Sequence, residues 1–196
     1  MELFLTTFFI LYMLTAFVWP TYRTYKRTGI NPLTFGKTEN AHDLIGKWFK
    51  FIIFLIPVNI GLFWLGPNWY RFTLPVWYLD HQWVRITGII LCITSLVWTS
   101  FAQYQMGESW RIGIDEQNKA PLVKKGLYTI SRNPIFLGML FTLAGVFLCL
   151  PNALSLLTFV CGYLLIQIQV RLEEEFLIKN YGEDYRQFMQ QTRRWI

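Results

Sequence analysis

Apolar residues along this chain come in long runs, not in alternation. Five runs approach the roughly 20 residues needed to cross a hydrocarbon core of about 30 Å: residues 3–19, 48–65, 84–104, 134–150 and 153–170. Each predicts a helix, because a helix satisfies its own backbone polar groups where no water can. Pro57 predicts a kink in the second. Only Pro151 and Asn152 separate the fourth run from the fifth, which predicts an antiparallel hairpin with its tip at the far membrane face. Both runs of that hairpin are slightly short, so tilt or local thinning is expected. Helix formers continue past residue 170 with no breaker until Gly182, so the last helix is predicted to project from the membrane. An amphipathic stretch, residues 183–195, is predicted to lie along the membrane surface. The first run has no basic segment before it and no small-residue cleavage site after it, and so reads as a retained span. The expected fold is an all-α integral membrane protein with about five transmembrane helices. Residues 1–104 would hold three spans, and residues 105–196 a catalytic-type region with the helical hairpin and a C-terminal cytoplasmic helix, all in one structural domain.

Composition agrees with lipid as the solvent. Of 196 residues, 54% are hydrophobic and only 15% charged, against about 25% charged in soluble domains. The net charge of +6 does not signal nucleic-acid binding, since the basic residues form no aromatic-interleaved patch. They mark loops instead. Lys and Arg are dense in the first loop, the third loop and the C-terminal tail, sparse in the second region (Arg71 and Arg85) and absent from the hairpin tip. That alternation predicts an outside N-terminus and a cytoplasmic C-terminus, in a multi-pass protein of the bacterial inner membrane. Trp19, Trp48, Trp69 and Trp83 fall near span ends, as interfacial aromatics do. Cys92, Cys149 and Cys161 lie in apolar runs and read as small buried hydrophobes, neither a disulfide framework nor metal ligands. His42 and His81 are expected in loops on opposite faces, with no metal site.

Two polar groups are left that lipid does not explain. One is the segment from Gly126 to Gly138, containing Arg132-Asn133-Pro134. Pro134 suits the first turn of a helix, Asn133 is expected to cap it, and free N–H groups there attract an anion or polar ligand. Gly138 permits close approach of a helix or ligand. The other is the emerging end of the fifth span, with Gln167, Gln169, Arg171, Glu173, Glu174 and Glu175. Helical spacing puts Gln169 and Glu173 on one face, and Gln167, Arg171 and Glu174 on a neighbouring one. A plain alternative is a capped helix start and a solvated helix end with an Arg171–Glu175 pair. The short hairpin, however, returns the chain to the face it left, so Asn133 and Glu173 are expected at similar depth, walling one cavity.

At these residues the chain resembles the isoprenylcysteine carboxyl methyltransferase family, in its small prokaryotic-type members with five spans. The resemblance runs from Gln105 to the end. It rests on Met106-Gly107-Glu108-Ser109-Trp110, Pro121-Leu122-Val123-Lys124-Lys125-Gly126-Leu127-Tyr128, Arg132-Asn133-Pro134-Ile135-Phe136-Leu137-Gly138, Glu173-Glu174-Glu175 and Tyr181-Gly182-Glu183-Asp184-Tyr185, in family order. It implies S-adenosylmethionine as cofactor, bound in a helical, non-Rossmann site. The cofactor residues it implies are Pro121, Leu122, Val123, Tyr128, Asn133, Pro134, Phe136 and Glu173, beside Arg132 and Gly138. Asn133 stands where the family has His, Phe136 where it has Tyr, and Gln169 where it has the Arg that takes a substrate carboxylate. The prenylcysteine substrate is therefore not carried over.

The expected function is methyl transfer from S-adenosylmethionine to a lipophilic or small acceptor (carboxylate, thiol or amine) at the cytoplasmic face, with membrane lipids as surroundings. Gln169 is the expected substrate contact, and Glu174, Glu175 and Arg171 are the candidate catalytic groups. One rival is an NADPH-dependent oxidoreductase, since sterol reductases look similar over the same C-terminal region. The other is a non-catalytic membrane protein, which would lack a cofactor pocket.

Overall fold

A computed structural model describes residues 1–33, 41–113 and 121–196. The described residues are helical, with two isolated bridges, Leu33 to Ile112 and Pro75 to Asn152, in place of strands. The helices are α1 (Glu2–Met13), α2 (Trp19–Thr28), α3 (Ala41–Trp64), α4 (Pro67–Tyr70), α5 (Gln82–Met106), α6 (Pro134–Cys149), α7 (Ala153–Tyr181) and α8 (Glu183–Gln191). Among the described residues, four stretches are long and apolar enough to cross a membrane: Glu2–Thr28, Ala41–Trp64, Gln82–Ser109 and Ala153–Tyr181. The predicted fourth span, α6, has 16 residues. At 1.5 Å per residue it is about 24 Å long, short of a full hydrocarbon core.

The first crossing is not a plain helix. A π turn, Leu14–Val18, joins α1 to α2. Pro20 has no N–H to give the Ala16 carbonyl one turn back. Gln103 of α5 supplies that donor instead, its Nε2 lying 2.7 Å from the Ala16 oxygen in a buried site. A backbone group that lipid would leave unpaired is thus used to fasten the first crossing to α5.

The closest helix pair is α5 with α6, whose seam is built from small residues. Gly88, Cys92, Ser95 and Thr99 of α5 meet Cys149, Gly145, Thr142 and Gly138 of α6 in antiparallel order. A Cβ on Gly88 would stand 2.8 Å from the Cys149 backbone nitrogen, and one on Gly145 would stand 3.0 Å from that of Cys92. Ser95 and Thr142 share a 2.8 Å hydroxyl hydrogen bond midway. Such close backbones gain dispersion contact that lipid cannot replace. The seam also accounts for Cys92 and Cys149, both buried and both unbridged.

The predicted hairpin is present, and its tip is tied down. Asn152, wholly buried, accepts a hydrogen bond from the Ser155 backbone at 2.8 Å and so caps α7. Its amide nitrogen donates to the Asn59 side chain in α3 at 3.0 Å and to the Tyr70 hydroxyl at 3.2 Å. The loop after α4 pairs with the same tip, through Val76 N to Pro151 O at 2.8 Å and Ala153 N to Leu74 O at 3.1 Å. The hairpin therefore cannot splay without breaking a buried polar cluster.

Two expectations about the tail and the histidines change. The apolar side of α8 is not left for lipid: Tyr185 and Phe188 are buried against Tyr128, Met106, Leu122 and Val123. His42 is not in a loop but in the first turn of α3, where it is 8% exposed, whereas His81 precedes α5 and is exposed. The apolar run begins only at residue 48, while the helix carrying it starts about two turns earlier, inside the protein.

Candidate active site

The Asn-Pro turn and the end of α7 converge. Asn133 Nδ2 lies 3.4 Å from Glu174 Oε1, across 41 residues of chain. Two features of the sequence make this happen: a two-residue link at one end of the hairpin, and an α7 that continues unbroken for 29 residues to Tyr181.

Asn133 does stand at the N-cap position of α6, with Pro134 in its first turn, but its side chain makes no cap hydrogen bond. The amide turns away to Glu174 and to the Arg194 carbonyl at 3.3 Å. Ser131 Oγ accepts from the Asn133 backbone N–H at 3.1 Å. A charged acceptor outcompetes the weaker local cap. Trp98 of α5 donates to the Pro134 carbonyl at 2.8 Å, which holds the turn against the seam.

Glu174 is the hub of the cluster. Arg132 reaches its Oε1 at 2.9 Å and Arg194 reaches its Oε2 at 2.7 Å. The Arg132 guanidinium also donates through its Nε to Glu174 Oε1 at 3.2 Å, and to the Met189 and Thr192 carbonyls at 3.0 and 2.6 Å. Four of its donors are thereby committed, so it does not meet a ligand carboxylate in this arrangement. A carboxylate held by two guanidinium groups is likewise occupied as a proton acceptor. Hydrogen bonding to Glu174 pushes the Arg194 pKa further up, so its charge is permanent.

Gln169 and Glu173 share a face, as their spacing predicts, with Gln169 Nε2 donating to Glu173 Oε1 at 2.8 Å. Gln169 is 1% exposed, and its own oxygen, buried, has no hydrogen-bond partner among the described residues. An unpaired buried acceptor costs about 1–3 kcal/mol, which makes that atom a place for a ligand donor. Arg171 is elsewhere: exposed, and bonded to Gln167 at 2.6 and 2.9 Å rather than to Glu174 or Glu175. Glu175 is exposed.

The segment before α6 forms the other wall. Gly126 has φ of +64°, and the Gln105 amide fills the space where a Cβ would stand, at 2.2 Å. Gln105 Oε1 accepts from Leu127 N at 2.8 Å. This positive-φ turn aims Tyr128 inward, where it is 6% exposed. Burial first, and the Glu173 carboxylate second, push the Tyr128 phenol up, so it stays a neutral donor. Leu122 and Val123 pack around Tyr128, while the Pro121 carbonyl accepts from Ser109 at 2.9 Å. Phe136 packs on the apolar core between the helices, and Gly138 is used for the approach of Thr99 in α5.

The sequence reading missed Arg194, Gln103, Gln105 and Trp98. Arg194 looked like one of two adjacent terminal cations. The two glutamines carry no charge and sit near a helix end, and only the pairing of α5 with its neighbours reveals their partners.

Comparison with known proteins places the chain in a family. Over 103 residues the chain is 29% identical to the Saccharomyces cerevisiae protein-S-isoprenylcysteine O-methyltransferase, a stretch covering 51% of this chain and 43% of that protein. The match thus spans less than half of that relative. The family model for phospholipid methyltransferase matches residues 83–184, from the start of α5 into α8, and so takes in both walls of the site. Since that match covers just over half of the chain, the protein belongs to the phospholipid methyltransferase family.

Proposed function

We propose that this protein is an S-adenosylmethionine-dependent membrane methyltransferase acting on a lipophilic acceptor at the cytoplasmic face of the bilayer. The observation that carries the reading is the junction of the α6 N-terminal turn with the end of α7, at 3.4 Å between Asn133 and Glu174. Around it stand side chains that suit the cofactor. Glu173 gives one oxygen to Gln169, leaving the other for an ammonium group. Tyr128, Leu122 and Val123 offer an apolar wall for adenine. The first turn of α6, behind Pro134, presents the backbone N–H groups of Ile135 and Phe136 as donors to a carboxylate.

Bound there, a sulfonium supplies a methyl carbon that is already activated. The protein's remaining work is to hold the acceptor in line and keep water out. An apolar groove between α1, α3, α6 and α7, lined among others by Phe8, Tyr12, Phe49, Ile56 and Met139, supports a lipophilic acceptor. Ile166, at its α7 side, lies one turn before Gln169. The unpaired Gln169 oxygen beside Glu173 disfavours a carboxylate acceptor and suits a group that brings an N–H, so the acceptor class is an amine carried on an apolar chain. The charge pattern supports an outside N-terminus and five crossings, α6 being the short one.

Calorimetry on detergent-purified protein, with S-adenosylmethionine and NADPH in parallel, tests the cofactor. Binding of S-adenosylmethionine is expected; NADPH binding without it overturns the proposal. Glu173→Gln is expected to weaken S-adenosylmethionine at least tenfold, and unchanged affinity would remove Glu173 from the site. Labelled methyl appearing in carboxylate lipids and not in amine-headgroup lipids would refute the acceptor class.

A further inference from the structure

The last residues of the chain do not trail away. Residues 192–196 fold back over the Asn-Pro turn and are held there by backbone and side chain alike. Arg132 N donates to the Arg193 carbonyl at 3.0 Å, and Ser131 Oγ to the Arg194 carbonyl at 3.2 Å. Asn133 Nδ2 donates to the same Arg194 carbonyl at 3.3 Å. Arg194 then returns its guanidinium to Glu174 through three contacts of 2.7–3.2 Å. Thr192 and Ser131 are buried, and Trp195 packs against the apolar core between the helices. Of the three charged side chains, Arg132 and Glu174 are 7% and 5% exposed, while Arg194 is 34% exposed.

We infer that residues 192–196 form a strap closing one side of the cofactor site, that Arg194 latches it onto Glu174, and that Glu174 is a positioning residue for the strap. Two of the hydrogen bonds that hold the strap involve Ser131 and Asn133, which set the α6 N-terminal turn. Releasing the strap therefore frees the turn as well. Burying a lone carboxylate is costly. With both arginines in place Glu174 is satisfied; with Arg194 gone Arg132 and the Asn133 amide serve only its Oε1, and the strap loses its side-chain anchor. The inference rests on the cofactor reading above, and deepens it by adding a wall from the far end of the chain.

Arg194 is exposed enough to change without emptying the core, so the test is built on it. A spin label at position 196 (Ile196→Cys, with Cys161→Ala) reports strap mobility, and calorimetry reports S-adenosylmethionine affinity. Arg194→Lys keeps the charge and is expected to leave the label immobile and affinity within about threefold of the parent. Arg194→Glu sets two carboxylates against each other; the label should become mobile and affinity should fall at least tenfold, with helix content unchanged. An immobile label in Arg194→Glu overturns the latch. A mobile label with unchanged affinity overturns the strap's part in the site. Should the parent protein not bind S-adenosylmethionine at all, the cofactor reading fails, and with it the strap's part in the site; the label still decides the latch.

Discussion

Asn152→Ala offers a direct measure of what holds the hairpin that builds the site. The wild-type side chain caps α7 at 2.8 Å, donates to Asn59 at 3.0 Å and to Tyr70 at 3.2 Å, and is wholly buried. Losing an N-cap costs about 1 kcal/mol. Orphaning the Asn59 amide within the bundle costs about 1–3 kcal/mol, though side-chain bonds between membrane helices average nearer 0.6 kcal/mol. Taking the lower part of that range gives a loss of about 2–3 kcal/mol. At about 2–4 °C per kcal/mol for a chain of this size, the melting temperature should drop by roughly 4–12 °C. Thermal unfolding in detergent, followed by circular dichroism, reads it. In the double variant with Asn59→Ala the losses should be less than additive, because the two side chains serve each other. A melting temperature for Asn152→Ala within about 1 °C of wild type would refute the account of the tip.

Two further substitutions probe the seam and the first crossing. Gly145→Val drives a side chain into the α5 backbone, 3.0 Å from the Cys92 nitrogen; a loss of about 1–3 kcal/mol is expected, read as a lower melting temperature, whereas Gly61→Val, where nothing lies within 4 Å of the added Cβ, should change little. Gln103→Leu leaves the Ala16 carbonyl unpaired in an apolar interior; about 1–3 kcal/mol should be lost, and amide hydrogen exchange should quicken around residues 14–20.

Much of the architecture is legible in the sequence because lipid imposes one dominant demand. A run of apolar residues must become a helix to pair its own backbone, so the five runs, the hairpin at Pro151-Asn152 and the long α7 ending at Gly182 could be read locally. The meeting of Asn133 with the Glu cluster also followed, since a two-residue link leaves the chain no other route. Helix starts were less legible: α3 begins at Ala41, where polar residues are buried by protein rather than by lipid.

Partner choice was not legible. Helical periodicity says which residues share a face, so it paired Gln169 with Glu173 correctly. It also grouped Arg171 with Glu174, yet Arg171 points to Gln167 and Glu174 points to Arg132 and Arg194. The Asn133 side chain, a cap by local pattern, was drawn away by a carboxylate 41 residues distant. Hydropathy and spacing act over a turn or two of helix, and so settle which segments enter the membrane and where they reverse. Ion pairs and buried hydrogen bonds depend on which segments end up side by side, and each charged group takes the strongest partner that the fold brings within about 3 Å. Elements and hairpin therefore belong to the chain's own pattern, while the Glu174 hub, the strap and the Gln103 bond to Ala16 exist only once the helices have packed.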